Sequence, residues 1–480
     1  MLRRKEERKR RSSFTAIDNL DQEAPKWNSK FCTKSKGGLC ECTKSKQKRA
    51  QPNTFVRQGN ICINQKQQLH SNMSNHLPLE IVEEILHRLP VKSIVKCTSV
   101  CKAWNSLITR QTFIYDHLNR TIQAPNHNSS LFFQFRKRRS PNDPPSLHQE
   151  ETYSLYSINQ QTDQFSVERF PLSHLFEPYR YTLFVGACNG LVCSADHSPL
   201  ESATTIIWNP SLRKYIVLPK PITTCKDIWR GRYYLVRNVD PKYDVFFGFG
   251  FDSRNNDYKV VRLMNDRSTQ DTPHVEVYSL ASHIWRSISV TVPQFFLCNR
   301  QWYRPWLSSL FLNGTFHWIV CRYIEGGSGM YYKFILSFDV IQETFRELTL
   351  PQQQSNEKAV ISRLLPVEGS HSLAVVNHVN MRRRNQRVFC IWVMKDYGIT
   401  NSWTEIFRLD SGLYGGILAV LALTNSGKVV LILNGGAIVL VDPIKESVEP
   451  VGLAKMSEFF VSSFVESLLL LNKEPDVLSF

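Results

Sequence analysis

Nowhere in its 480 residues does the chain hold an uncharged apolar run of the ~18 residues that a membrane span requires. The longest candidate, GGILAVLALT from Gly415, breaks into NSGK and reads as a buried strand followed by a turn. The amino terminus, MLRRKEERKRRSS, lacks the apolar stretch of a secretory signal, so export is not expected. Cysteine pairing is missing as well. Residues such as Cys97, Cys101, Cys188, Cys193, Cys321 and Cys390 stand singly among apolar neighbours, which predicts buried free thiols in a reducing compartment. In such a compartment the N-x-S/T matches at Asn128 and Asn313 meet no glycosylation machinery.

Catalytic signatures are equally scarce. The 13 histidines are dispersed, and no H-E-x-x-H, G-x-S-x-G or paired-carboxylate arrangement occurs. EGGSGMYYK at Glu325 lacks the G-K-[ST] end of a phosphate loop. Gly248 and Gly250 in FGFGF lie on one strand face and suit close backbone packing better than nucleotide binding. Cys32, Cys40 and Cys42 match no structural zinc spacing. Neither an enzyme nor a metal or other cofactor is expected.

The folded part also lacks charge of one sign. The formal net charge is +17, but residues 1–75 hold 17 Lys and Arg against 6 Asp and Glu, which leaves only +6 for the rest. A general basic groove for nucleic acid therefore loses its support, and neither nucleic acid nor membrane is an expected partner. The short basic runs RRKEERKRR at Arg3 and RKRR at Arg136 read equally as nuclear-import signals, nucleic-acid tails or solvated charge. RRRNQR at Arg382 lies between two strand patterns and reads as a charged hairpin loop.

What is present divides the chain. Residues 1–72 are polar and basic and read as a disordered tail, with Met73 a possible alternative start. Residues 73–120 hold a compact apolar island, and 121–150 a basic, proline-rich connector, FRKRRSPNDPPS. Residues 151–472 are short β-branched and aromatic runs broken by Asn-Gly, Asp-Pro and Gly-Gly signals, and 473–480 form a tail.

Within that long region a phrase of strand, turn and strand recurs, as in IIWNPSLRKYIVLP, VEVYSLASHIWRSISV and ILSFDVIQETFRELTLP. Its marker aromatics, Tyr156, Trp208, Tyr278, Phe338 and Trp392, stand about 50–70 residues apart, near the ~50 of a kelch-type blade. Further strand patterns, such as NGLVCS and LFLNGTFHWIV, lie between the phrases. Four strands per repeat predict a mainly β chain built as a kelch-like β-propeller of about six blades.

The island, HLPLEIVEEILHRLPVKSIVKCTSVCKAW, predicts three short helices. Pro78 suits a first turn, and Ile81, Ile85, Leu86 and Leu89 form one apolar stripe with Glu83, Glu84 and His87 on the other side. Pro90 ends the first helix. The second carries Ile94, Val95 and Cys97; the third carries Val100, Cys101, Trp104, Leu107 and Ile108. About 45 residues bury too little surface to be stable alone. The excess apolar surface needs either the protein's own body or another chain.

The order of these residues resembles the F-box: Leu77-Pro78-x-Glu80-Ile81, then Ile85-Leu86-x-x-Leu89-Pro90-Val91-Lys92-Ser93-Ile94-Val95, then Val100-Cys101-Lys102-x-Trp104. Cys97 and Thr98 depart from the usual larger apolar residue and Arg. The phrases that follow, with VESLLLL near the end, resemble the plant family of F-box proteins with a kelch-like F-box-associated domain, over about residues 76–472. That resemblance implies a non-catalytic substrate receptor of an SCF (Skp–cullin–F-box) ubiquitin ligase, in the cytoplasm, the nucleus or both. It implies a Skp-type adaptor, and through it a cullin, as partners. The docking residues carried over are Leu77, Pro78, Ile81, Ile85, Leu86, Leu89, Pro90, Val91, Ile94, Val95, Val100, Cys101 and Trp104. An unidentified protein target would be read by propeller loops, and the segments 229–243 and 295–306, with Trp229, Arg232, Trp302 and Arg304, combine the residues that interfaces favour. The alternative is a propeller scaffold for protein interactions with no ubiquitin role.

Overall fold

The structure, a computed structural model, describes residues 77–123, 130–136, 151–159, 164–170, 182–196, 204–223, 243–266, 272–295, 309–324, 331–351, 360–367, 370–381, 386–424, 426–453, 458–472 and 478–479. The basic tail, the Cys32–Cys42 cluster, the loop at Glu325 and the basic loop at Arg382 fall outside the described residues.

Helices come first: α1 (Leu79–His87), α2 (Val91–Cys97), α3 (Lys102–Ile108) and α4 (Gln111–Gln123). Prolines set the first two. Pro78 stands just before α1, where its carbonyl accepts from the amides of Ile81 and Val82 at 3.0 and 3.1 Å. Pro90 does the same for α2, accepting from Ser93 and Ile94. Cys101 begins α3, its sulfur accepting from the Trp104 amide at 3.5 Å. Helix α4 is one more than the expected three. Its buried face, Phe113, Ile114, His117 and Leu118, closes the module from below.

The rest is strand. Blade 1 holds β1 (Ser130–Arg136), β2 (Glu151–Asn159) and β3 (Gln164–Phe170). Blade 2 holds β4 (Thr182–Cys188), β5 (Leu191–Asp196), β6 (Thr205–Asn209) and β7 (Lys214–Val217). Blade 3 holds β8 (Tyr243–Asp252), β9 (Asp257–Asp266), β10 (His274–Ser279) and β11 (Ile284–Ile288). Blade 4 holds β12 (Leu310–Leu312), β13 (Thr315–Tyr323), β14 (Tyr331–Asp339) and β15 (Thr344–Thr349). Blade 5 holds β16 (Val360–Pro366), β17 (Leu373–Met381), β18 (Gln386–Met394) and β19 (Trp403–Asp410). Blade 6 holds β20 (Ile417–Leu423), β21 (Val429–Leu433), β22 (Ala437–Asp442) and β23 (Ser447–Leu453).

Two late strands complete the ring. β24 (Glu458–Phe464) pairs antiparallel with β1, Phe133 opposite Val461, and becomes the innermost strand of blade 1. β25 (Leu478–Ser479) adds a fifth, outer strand to blade 2 beside β7. Innermost strands follow one another as β24, β4, β8, β12, β16 and β20, which returns to β24. The result is a six-bladed propeller whose first blade joins the two ends of the strand-rich region. Such closure leaves no blade edge open between first and last.

The repeat phrase has a structural meaning. Tyr156, Trp208, Tyr278, Phe338 and Trp392 all lie on the third strand of their blades. After that strand the chain turns on a residue at positive φ in four blades: Arg213, His283, Glu343 and Glu446. Side chains that accept backbone amides fix these turns, as Asp339 does for Ile341 and Gln342, and Asp442 for Ile444 and Lys445. Gly248 has the packing role expected of it. A Cβ there would come within 2.8 Å of the Phe316 ring, so blade 3 approaches blade 4 as closely as backbone allows.

Three expectations are corrected. The connector 121–150 contains β1, whose SLFFQFR buries Leu131, Phe132 and Phe133; the basic, proline-rich run after it hid the strand. The short tail 473–480 contains β25. Cys97, Cys101, Cys188, Cys193 and Cys390 are free, but Cys321, on buried β13, is disulfide-bonded.

Candidate functional site

The helical module has two apolar sides. Val82 and Leu86 on α1, Val91 and Ile94 on α2, Leu107 and Ile108 on α3, and Phe113, Ile114 and Leu118 on α4 are all buried. They join one continuous core with blade 2, blade 3 and blade 4 and with Leu468, Leu469 and Leu470, which follow β24. The module is therefore built onto the propeller. Lys92 on α2 reaches Glu168 on β3 at 2.6 Å, and Arg213 reaches the other oxygen of Glu168 at 3.1 Å. Burial opposes ionisation of Glu168, but these two cations more than offset it and hold the carboxyl below its ordinary range. On α4, Tyr115 lies close enough to Asp257 and Tyr258, at the β8–β9 turn, to interact electrostatically with them.

The other side is open. Leu77, Ile81, Ile85 and Val100 are 58%, 48%, 47% and 61% exposed, and Leu79 is also exposed. Ile81 and Ile85 stand one helical turn apart, adjacent to the buried pair Val82 and Leu86. The single stripe read from the sequence is thus two neighbouring rows, one turned to the core and one to solvent. His87, expected on the polar side, is buried and stacks on Phe113 with centroids 4.2 Å apart. Burial pushes its imidazole below the ordinary histidine range.

The carried-over docking residues fall into three groups. Leu77, Pro78, Ile81, Ile85, Pro90, Val100 and Cys101 are exposed and available. Leu89, Val95 and Trp104 are half-buried and pack on the core. Leu86, Val91 and Ile94 are buried within the module and act through its shape. Leu79, exposed at the first position of α1 and not among the carried-over residues, stands three and seven residues before the buried Val82 and Leu86 and so on their face of the helix. Of the target-facing residues, Trp229, Arg232, Trp302 and Arg304 lie outside the described residues.

The turn between α1 and α2 is held from α4. The His117 Nε2–H donates to the Leu89 carbonyl at 3.1 Å. Arg120 on α4 also reaches Glu84 on α1 at 2.8 Å. These contacts fix the angle at which Ile81 and Ile85 are presented. The exposed side chains of Ile81 and Ile85 are apolar and suit the exclusion of water against a complementary apolar face.

Comparison with known proteins agrees with this division. Residues 74–115 match the F-box domain, and residues 147–468 match the F-box associated beta propeller domain. The chain is 24% identical to the F-box protein CPR1 of Arabidopsis thaliana over 417 residues, covering 84% of this chain and 90% of that protein. An F-box/kelch-repeat protein of the same plant is 25% identical over 337 residues, covering 70% of this chain and 80% of the relative. The chain belongs to the plant F-box proteins that carry an F-box associated β-propeller domain.

Proposed function

We propose that this protein is the substrate receptor of an SCF-type ubiquitin ligase, with the F-box docked on a Skp-type adaptor and the propeller holding a target protein. The observation that carries the reading is the exposure of Leu77, Ile81, Ile85 and Val100 on a module whose buried side chains are already sealed into the propeller core. Covering the exposed half of each of these side chains would contribute about 1 kcal/mol apiece. The protein's own part in catalysis is proximity: adaptor and cullin hold the target beside a charged ubiquitin carrier, and no residue of this chain needs to react. It acts in the cytoplasm, the nucleus or both.

Target recognition belongs to the end of the propeller away from the helices. The helical module meets the end where the β8–β9 turn lies. In an antiparallel blade, the second-to-third connections and those between blades leave from the other end. The described strands β7 and β11 finish at this second end, and the sequence that follows them carries Trp229, Arg232, Trp302 and Arg304, which lie outside the described residues. Substituting those four together should remove the target and spare the adaptor. Removing residues 73–120 should spare target binding and stop ubiquitination, so that the truncated protein protects the target. Full retention of partners by the quadruple variant would move the recognition surface elsewhere.

A further inference from the structure

A cavity of about 310 Å³ lies among the innermost strands, walled by β4, β12, β16, β20 and β24. Its walls are largely apolar, with Leu310, Leu312, Leu364, Leu421 and Phe460 among them. Arg363 is the one charged residue among its described lining residues. This is the size and composition of small-ligand sites, which are apolar pockets with a few placed polar groups.

Arg363 is unusual in its place. It sits on β16, the innermost strand of blade 5, where the pairing with β17 slips by a residue between Ile361 and Arg363. Such bulges re-aim a side chain. The guanidinium donates to the Val461 carbonyl at 3.3 Å and lies 5.3 Å from the centre of the Phe460 ring. No acidic side chain pairs with it among the described residues. A guanidinium has five N–H donors in a planar fork, so donors beyond the one given to Val461 remain for a ligand in the cavity that Arg363 lines. Burial pushes its pKa down to about 10, and it therefore stays charged at neutral pH. Arg363 is partly buried, with one carbonyl and one ring face as its partners among the described residues, and an anion in the cavity would compensate its charge further.

We propose that the central cavity is a binding site for a small monocarboxylate, its carboxylate on the Arg363 fork and a compact apolar body against Leu310, Leu364, Leu421 and Phe460. One positive charge suits one negative charge. A phosphate dianion would bring an uncompensated charge into an apolar space. The planar carboxylate also matches the fork in two parallel hydrogen bonds. Because the walls come from five of the six blades, the bound acid would tie together strands far apart in sequence.

The test uses the full chain and thermal melts with benzoate, benzamide, inorganic phosphate and a short peptide with a free terminal carboxylate. Benzoate should raise the melting temperature increasingly with concentration, while benzamide and phosphate should not. Arg363→Met should melt without response to benzoate. Should that variant not fold, saturation-transfer NMR on the unmodified chain decides: the benzoate ring protons should receive saturation and lose it when cyclohexanecarboxylate is added. The proposal is overturned if benzoate gives neither effect, if benzamide or phosphate acts as strongly, or if Arg363→Met responds like the natural chain. A response to the peptide alone would also overturn it, making the cavity a reader of polypeptide ends.

Discussion

Lys92 Nζ lies 2.6 Å from Glu168 Oε2, so the second helix of the F-box is pinned to the outer strand of the first propeller blade. Both groups are partly open to solvent, at 59% and 27% of their side-chain surface. An ion pair of this exposure contributes only about 0.5 kcal/mol. Attachment of the module must rest on its buried apolar side. Lys92→Ala should leave denaturant stability nearly unchanged, whereas Leu86→Ala or Ile94→Ala should lower it by about 2–5 kcal/mol. Equal losses in urea melts would contradict this ranking.

Blade 3 offers a sharper electrostatic case. Arg262 and Glu276 form an ion pair at 3.0 Å with 3% and 1% of their side chains exposed. Arg262 also donates to the Thr223 carbonyl, and the Thr223 amide donates to Glu276, so the pair holds the chain that leaves blade 2. Glu276→Ala would strand a buried guanidinium and should cost about 3–5 kcal/mol. Replacing both residues with leucine should cost less than the single change. Chemical denaturation of the three variants measures this.

Acid should weaken the fold through His317. Its Nδ1–H donates to the Leu310 carbonyl at 3.1 Å, and its Nε2 accepts from the Tyr397 hydroxyl at 2.8 Å. Burial pushes its pKa down to about 4. The unfolded ring titrates near 6.5, so between those values only the unfolded chain takes up the proton, and stability falls as pH falls. The loss should reach on the order of 3 kcal/mol by pH 4. His317→Gln should lose less stability than the natural chain between pH 7 and pH 4.5. Parallel loss in both would assign the acid sensitivity to other groups.

Close packing between blades gives a simpler prediction. Gly248→Ala places a methyl against the Phe316 and Trp318 rings, both buried, and should cost about 1–3 kcal/mol. The glycine at the Asn313–Gly314 turn has nothing near its Cβ but a φ of +70°, so alanine there should act through backbone strain alone. Differential calorimetry of the two variants separates the effects.

Much of this fold was legible because its signals are local. Five aromatics recurring about every 50–70 residues all fall on the third strand of their blades, since the turn after that strand depends on nearby side chains such as Asp339 and Asp442. β1 was hidden because its inner partner is β24, more than 300 residues later, and that pairing has no local signature. On α1 the spacing showed that Ile81, Ile85, Leu86 and Leu89 are apolar but not which of two adjacent rows would meet the propeller. Only the docking of α4, through His117 and Arg120, settles that. Arg363 was invisible for the same reason: nothing around it in sequence announces a bulge on an innermost strand.

The adaptor row gives the most direct measurement. Ile81 and Ile85 are exposed, make no part of the buried core and stand together on α1. Ile81→Asp with Ile85→Asp should therefore leave the melting temperature within about 2 °C, because exposed substitutions cost little. The experiment is co-purification of a Skp-type adaptor with the natural chain and with this double variant, each checked for folding by circular dichroism. A stable complex with the natural chain and its loss in the folded variant are expected. Failure of the folded natural chain to hold the adaptor, or full retention by the folded variant, would contradict that expectation.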